Sequence, residues 1–399
     1  MSAKSLHEYE IIRGCSTKVD PAHLGDETMI SMLPLLMSIV TVNLGVSAVL
    51  PSRAGKREAS ADDVETGVAF TCWLGCTEAS LCLMPLSIFA YYIHDISPQL
   101  LRLGESFAIH WYGLAYVLGF YLTYLVMVRL ARRGLSEIPE AKVADFITLV
   151  AVFGVVLGGR VGYMLLYDWE SFVQAPWRLL MIHQGGMASH GGIAGVALFC
   201  LWYARRHRIS WTGIGDTLVC GAPLGVFCGR IANFINGELF GRVTTRPWAV
   251  QFPTELLHED FIQQGGKWVS LPAGLQHSPE IIAWFEQNGG GRAELAAILH
   301  PRHPSQLYEA MGEGLLLSAV LLWIRVRWPR LPHGILTGFF FLFYAVVRIA
   351  LECVRQPDSG SDSIWGMTRG QFFSLFMVIT GIAFILHGVL RGKRLSQAP

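Results

Sequence analysis

Charge is what this chain has little of. Asp, Glu, Lys and Arg make up 15% of its 399 residues, against about 25% in an average soluble protein. So little charge beside 52% hydrophobic residues excludes a disordered chain. Lys and Arg outnumber Asp and Glu by only 31 to 30, so no basic excess points to nucleic acid. There is no Asp-x-x-Asp pair of the kind that holds metal for phosphoryl transfer, so any reaction is expected to need no metal and no cofactor. No long repeat or low-complexity tract occurs. Residues 1–27 hold Glu8, Glu10, Asp20, Asp26 and Glu27 against Lys4, Arg13 and Lys18, which is not the basic start of a signal peptide.

Long apolar runs fill the space that charge leaves. A spanning helix needs about 20 mostly apolar residues. Residues 28–50 carry no charge and 67–93 only Glu78; further runs lie at 106–128, 145–166, 187–203, 213–229, 312–324, 334–354 and 371–390. The pattern predicts an all-α polytopic membrane protein with a seven-span core from residue 106 onward. Lys and Arg gather at every second connection: Arg129, Arg132, Arg133 and Lys142, then Arg205, Arg206 and Arg208, then Arg325, Arg327 and Arg330, then Arg391, Lys393 and Arg394. Basic residues at helix ends mark the cytoplasmic side, which predicts an outside N-terminus and an inside C-terminus for that core. Residues 1–94 read as an extension with two hydrophobic segments, 95–394 as the membrane domain, and 395–399 as a cytoplasmic tail. Within the domain, 237–310 is polar and rich in Gly, Pro and His, and reads as a small extracytoplasmic subdomain. Two readings of 1–83 stand: two further spans, which preserve the topology, or an over-extended reading frame with the start at Met84.

The eight cysteines mostly lie in apolar stretches and read as packing; Cys72 and Cys76 lack the His partners of a metal site. Most of the 42 glycines read as small residues that let membrane helices approach.

Charged groups at bilayer depth cost at least about 2.5–3.5 kcal/mol, so each needs a reason. Tyr344, Arg348, Glu352 and Arg355 fall within about 80° of one another around a helix. That stripe holds two arginines against one glutamate; an internal ion pair accounts for part of it, and an anionic ligand would balance the rest. Arg230, Asn233, Asn236 and Glu238 crowd the end of another span and suit a polar site at the membrane surface. His190 sits between the pairs Gly185-Gly186 and Gly191-Gly192, where bare backbone permits close approach of a ligand. Arg160 lies inside the 145–166 run and needs either an acidic partner or a phosphate. Several arginines with one histidine suit a phospholipid head group, since guanidinium binds phosphate through two donors at once. Two classes stay open on the residues alone: an enzyme acting on lipid phosphate, or an anion carrier. The two related halves common in carriers are not visible here.

The segment Gly229-Arg230-Ile231-Ala232-Asn233-Phe234-Ile235-Asn236-Gly237-Glu238, followed by Gly241, resembles the signature of bacterial prolipoprotein diacylglyceryl transferases. Further similar segments follow the same order: His110–Leu114, Gly159–Tyr163, Gly186–Gly192, His303–Glu309, and Arg348 through Glu352 to Arg355-Gln356-Pro357-Asp358. Ala232 departs mildly, standing where the family more often has Gly. The similarity covers about residues 95–394 and implies a seven-span enzyme of the bacterial inner membrane with its site towards the extracytoplasmic side. It implies transfer of the diacylglyceryl group of phosphatidylglycerol to the lipobox cysteine of a preprolipoprotein, just after the signal peptide, with release of glycerol 1-phosphate. By resemblance, His190, Arg230 and Arg348 are catalytic. Tyr112, Arg160, Asn233, Glu238, Gly241, Tyr344, Glu352 and Arg355, with Arg230, would meet the phosphatidylglycerol. Another lipid donor is a third reading.

Overall fold

The computed structural model describes residues 91–102, 108–181, 185–258, 260–263, 265–267, 269–356 and 367–391. The hydrophobic segment 28–50, most of 67–93, the Pro357-Asp358 motif end and the tail 395–399 lie outside them.

The described chain is mostly helical. Its principal helices are α1 (Trp111–Arg132), α2 (Glu140–Leu166), α3 (Ser189–His207), α4 (Trp211–Asn236), α5 (Ser278–Gln287), α6 (Gly291–Ile298), α7 (Ser305–Arg327), α8 (Ile335–Leu351) and α9 (Arg369–Arg391). All but α5 and α6 coincide with the seven apolar runs from residue 106 onward. By length and composition, α1, α2, α4, α7 and α9 are able to cross a membrane. Helix α8 is shorter at 17 residues, and α3 carries Arg205, Arg206 and two histidines within its 19. The exposed side chains are those lipid would solvate: Val117, Leu198, Trp202, Phe376, Ile379 and Leu386 are each more than 40% exposed.

Two boundaries differ from the sequence reading. The 106–128 run does not begin as helix: Ala108–His110 form strand β3, antiparallel to β2 (Gln99–Arg102). Tyr92–Ile93, read as the end of a hydrophobic segment, form strand β1, parallel to β4 (Val250–Gln251), which pairs with β5 (Pro301–Arg302). The cause is tertiary: Ile93 packs on a core of Ile281, Ile282, Phe285, Leu295 and Leu299 from α5 and α6. Residues 91–95 thus belong to the small subdomain between α4 and α7. Asp95 fastens its edge, accepting from Tyr92 Oη at 2.9 Å and pairing with Arg292 at 3.2 Å. The Tyr92 hydroxyl first, and then Arg292, hold the Asp95 carboxyl below its ordinary range.

Glycine sets the helix spacing. Gly158 and Gly162 of α2 face Gly191 and Gly195 of α3; a Cβ on Gly158 would lie 2.7 Å from the Gly191 carbonyl oxygen. The two rows share a four-residue spacing, so two backbones meet along one seam. Gly119 of α1 meets Gly225 of α4 in the same way, beside the Thr123 hydroxyl donating to the Gly221 carbonyl at 3.1 Å.

At the other end of α4, the fully buried Asp216 accepts from the backbone N–H groups of Gly334 and Thr337 at 2.8 Å each. A carboxylate from one helix thereby caps the N-terminus of α8. Arg325, counted above among the topology-setting basic residues, is instead fully buried and donates to the Leu135 carbonyl at 2.9 and 3.1 Å. Both α2 and α7 contain a π-helical stretch, Val150–Val156 and Ala310–Leu316.

Candidate active site

Helix α4 ends where the chain needs a left-handed residue, and Gly237 supplies it at φ 68°. The last turns of α4 carry Arg230 and Asn233, one turn apart. Arg230 Nη1 lies 2.8 Å from Glu309 Oε2, and its Nη2 lies 3.2 Å from Glu313 Oε2. Helix α8 brings Arg348 to the same pair, its Nη1 3.3 Å from Glu309 and 3.4 Å from Glu313. Arg355 Nε reaches Glu309 at 3.5 Å, and Tyr344 Oη donates to Glu313 Oε2 at 3.0 Å.

Three arginines therefore meet three glutamates. The positive excess read from the α8 stripe alone is not there, because Glu309 and Glu313 of α7 supply the missing charge. The Arg348–Glu352 pair expected from the stripe is the longest of the set, at 4.0 Å. Access divides the cluster: the Glu309 and Glu313 side chains are sealed, whereas those of Arg230 and Arg348 keep 18% and 13% exposure. The carboxylates form the back of the site and the guanidinium groups its open edge.

A second group lies one turn further along α4. Asn233 Nδ2 donates to Glu238 Oε1 at 2.8 Å and to the Tyr112 hydroxyl at the start of α1. The structure thus joins Tyr112, Asn233 and Glu238, while Tyr344 sides with the arginines. Gly241 adds no side chain. Its backbone bridges to Arg355, and a Cβ there would stand 2.5 Å from the Val354 carbonyl oxygen.

His190 stands apart from these bonds. It is exposed, at the first turn of α3, with its ring 4.9 Å from that of Phe373 on α9. Among the described residues, no hydrogen bond or ion pair joins it to Arg230, Arg348, Glu309 or Glu313. The neighbouring Gly191 does not leave backbone open for a ligand; it is pressed against α2. Among the described residues Arg160 has no acidic partner of the kind weighed above. Its five N–H groups all go to backbone carbonyls, those of Arg178, Leu179, Met181, Gly185 and Gly186. It fastens the loop that leads to His190.

Sequence reasoning passed over Glu309 and Glu313. Glu309 was read only as the end of the His303–Glu309 segment, and Glu313 as part of an apolar run. Their signal was available: two carboxylates at i and i+4 on a span share one face. Asp216 was missed in the same way inside 213–229.

A bundle of apolar helices, five of them long and apolar enough to cross a membrane, defines a multi-pass membrane protein, and a charged cluster lies buried among those helices. Residues 98–387 match the family model of the prolipoprotein diacylglyceryl transferases, and the chain belongs to that family. It is 37% identical over 332 residues to the phosphatidylglycerol–prolipoprotein diacylglyceryl transferase of Bdellovibrio bacteriovorus, covering 74% of this chain and 93% of that protein. The enzymes of the same name from Sodalis glossinidius and Rhizobium meliloti are 39% identical over 290 residues and 38% over 298. Those alignments each span 72% of this chain, with 91% and 90% of the respective relative.

Proposed function

We propose that this chain transfers the diacylglyceryl group of phosphatidylglycerol to the thiol of the lipobox cysteine of a preprolipoprotein, the first step of lipoprotein modification. The observation that carries the reading is the convergence of Arg230 and Arg348, from separate helices, on one pair of buried carboxylates, with both arginine side chains still partly exposed. Family membership supplies the substrates. The cysteine sulfur attacks the glycerol carbon that bears the phosphate ester oxygen. A C–S bond forms, the C–O bond breaks, and its electron pair leaves with glycerol 1-phosphate. Negative charge grows on that phosphate in the transition state, where preorganised guanidinium groups stabilise it. A free thiol, with a pKa of about 8.5, is a weak nucleophile until deprotonated. His190 is the base in this reading, since an imidazole nitrogen can take up the thiol proton, and its exposure leaves it open to an arriving peptide.

Tyr112, Asn233 and Glu238 hold the glycerol hydroxyls of the head group. Tyr344 steadies Glu313, and Glu352 and Arg355 steady Arg348 and Glu309. Gly241 lets the backbone at 241–242 pack onto the end of α8. Arg160 acts on the lipid only through the loop before His190.

The seven-span core lies in the bacterial inner membrane with its N-terminus out and its C-terminus in. Basic last turns on α1, α3, α7 and α9 support that orientation. Glu309 begins α7 and Arg230 and Arg348 lie near the ends of α4 and α8, away from those basic turns; this supports a site on the extracytoplasmic side.

The test is a purified assay with phosphatidylglycerol and a lipobox peptide, following the peptide mass. The expected result is a gain of one diacylglyceryl group on cysteine, lost in Arg230→Ala. No gain from folded protein overturns the reading. Phosphate flux in liposomes without product would favour a carrier, and turnover with another head group would favour a different lipid donor.

A further inference from the structure

The segment His303–Glu309 has so far lent the site only Glu309, yet two of its other polar residues are buried too. Ser305 and Gln306 are fully buried at the start of α7. Gln306 Nε2 donates to the Glu238 carbonyl at 2.6 Å, and Ser305 Oγ to the Leu239 carbonyl at 3.0 Å. The buried Thr254 donates its hydroxyl to the Gly237 carbonyl. Three successive carbonyls after α4 are thus each held by a buried side chain from elsewhere in the chain. What they hold is strained: Leu239 has φ 55°, a left-handed conformation that leucine rarely adopts. Its side chain is 39% exposed and gains little from burial there. Backbone strain persists only where the surroundings over-determine it. Leu239 follows Glu238 directly and precedes Gly241 by two residues. Relaxing it would swing the Glu238 carboxylate away from Asn233 and Tyr112.

We infer that Ser305 and Gln306 are positioning residues of the transfer reaction: by clamping the strained Leu239 turn they aim Glu238 at the lipid head group. The inference rests on the reading of Glu238 given above. Gln306→Ala is expected to raise the KM for phosphatidylglycerol about tenfold, with kcat changed far less. Ser305→Ala, a milder change, is expected to act in the same direction by about threefold. Leu239→Gly removes the strain, since glycine takes positive φ freely; alone it is expected to turn over normally, and in Leu239→Gly/Gln306→Ala most of the lost affinity returns. Hydrogen exchange at the Glu238 and Gly241 amides follows the same order, rising in Gln306→Ala and falling back in the double variant. An unchanged KM in both single variants, or a double variant no better than Gln306→Ala, overturns the inference. If the unsubstituted protein forms no thioether, the transferase reading fails instead, and the exchange data still decide whether the clamp holds the turn.

Discussion

Arg230 and Arg348 hold one carboxylate through its two different oxygens. Glu313 lies 3.2 Å from the first and 3.4 Å from the second, and belongs to a helix that carries neither. Three helices are therefore locked at one point. A buried pair of this kind resists the loss of either partner more strongly than it stabilises the whole, because the survivor is left charged and dry.

That asymmetry separates structural from chemical roles. Arg348→Ala is expected to abolish thioether formation and also to destabilise by about 3–5 kcal/mol. Arg348→Ala leaves three carboxylates to Arg230 and Arg355; adding Glu313→Gln removes the one in excess, and the melting temperature should recover in part while turnover does not. Calorimetry alongside the peptide-mass assay reads both. Regained turnover would take Arg348 out of the mechanism.

His190 makes the opposite prediction. It is exposed and bonds to none of the cluster, so His190→Gln should change stability by no more than about 0.5 kcal/mol while product formation stops. A variant that turns over at the normal rate would show that the proton goes elsewhere.

The glycine seam next to it offers a packing test. A valine at Gly191 has no room against Gly158 and Gly162, and overpacking costs about 1–3 kcal/mol. Gly191→Val should therefore lower the melting temperature and also turnover, since residue 190 moves with the seam. The same substitution at Gly229, where a Cβ meets nothing within 4 Å, should leave stability nearly unchanged.

Arg160→Lys keeps the charge and loses the fork. Lysine has three donors where five are in use. The segment around Arg178 should be cut faster by trypsin, in limited proteolysis, than in the unsubstituted protein. Equal rates would mean that the carbonyl bonds do not hold the loop.

The subdomain should weaken in acid through His94. Its ring is buried beside Ser278 Oγ, at 3.1 Å, and burial pushes its pKa below the ordinary 6.5. The unfolded chain then takes up a proton more readily than the folded one. The stability is fully present above pH 6.5 and is lost as pH falls towards the folded value. Denaturant titrations of the subdomain at pH 7.5 and 5.5 measure this, and His94→Gln should flatten the difference.

How much of this was legible in the sequence depends on the range of the interaction. The seven helical runs were plain because apolar length is a local property, and Arg230, Arg348 and Asn233 were plain because each breaks such a run. The pairing of arginines with Glu309 and Glu313 was not, since ion pairs across 79 and 35 residues leave no spacing to read. Arg160 shows the limit most directly. A buried guanidinium can be satisfied by backbone carbonyls, which every loop possesses. Strand β1 was hidden for a related reason: an apolar pair beside a long apolar run takes its conformation from a distant partner, Val250–Gln251.

The π-helical stretch Ala310–Leu316 lies between Glu309 and Leu317, and so divides α7 by chemistry as well as by geometry. Glu309 stands just ahead of it and Glu313 within it, the two carboxylates that hold the arginines; behind it Leu317, Leu321 and Ile324 enter an apolar core. One residue more than a regular turn needs shifts the phase of everything beyond by about 100°. The two ends of this helix can thus face different neighbours although they are one rod. Lengthening or shortening the chain by a single residue at this point would turn one end against the other, so α7 should tolerate substitutions there far better than insertions or deletions.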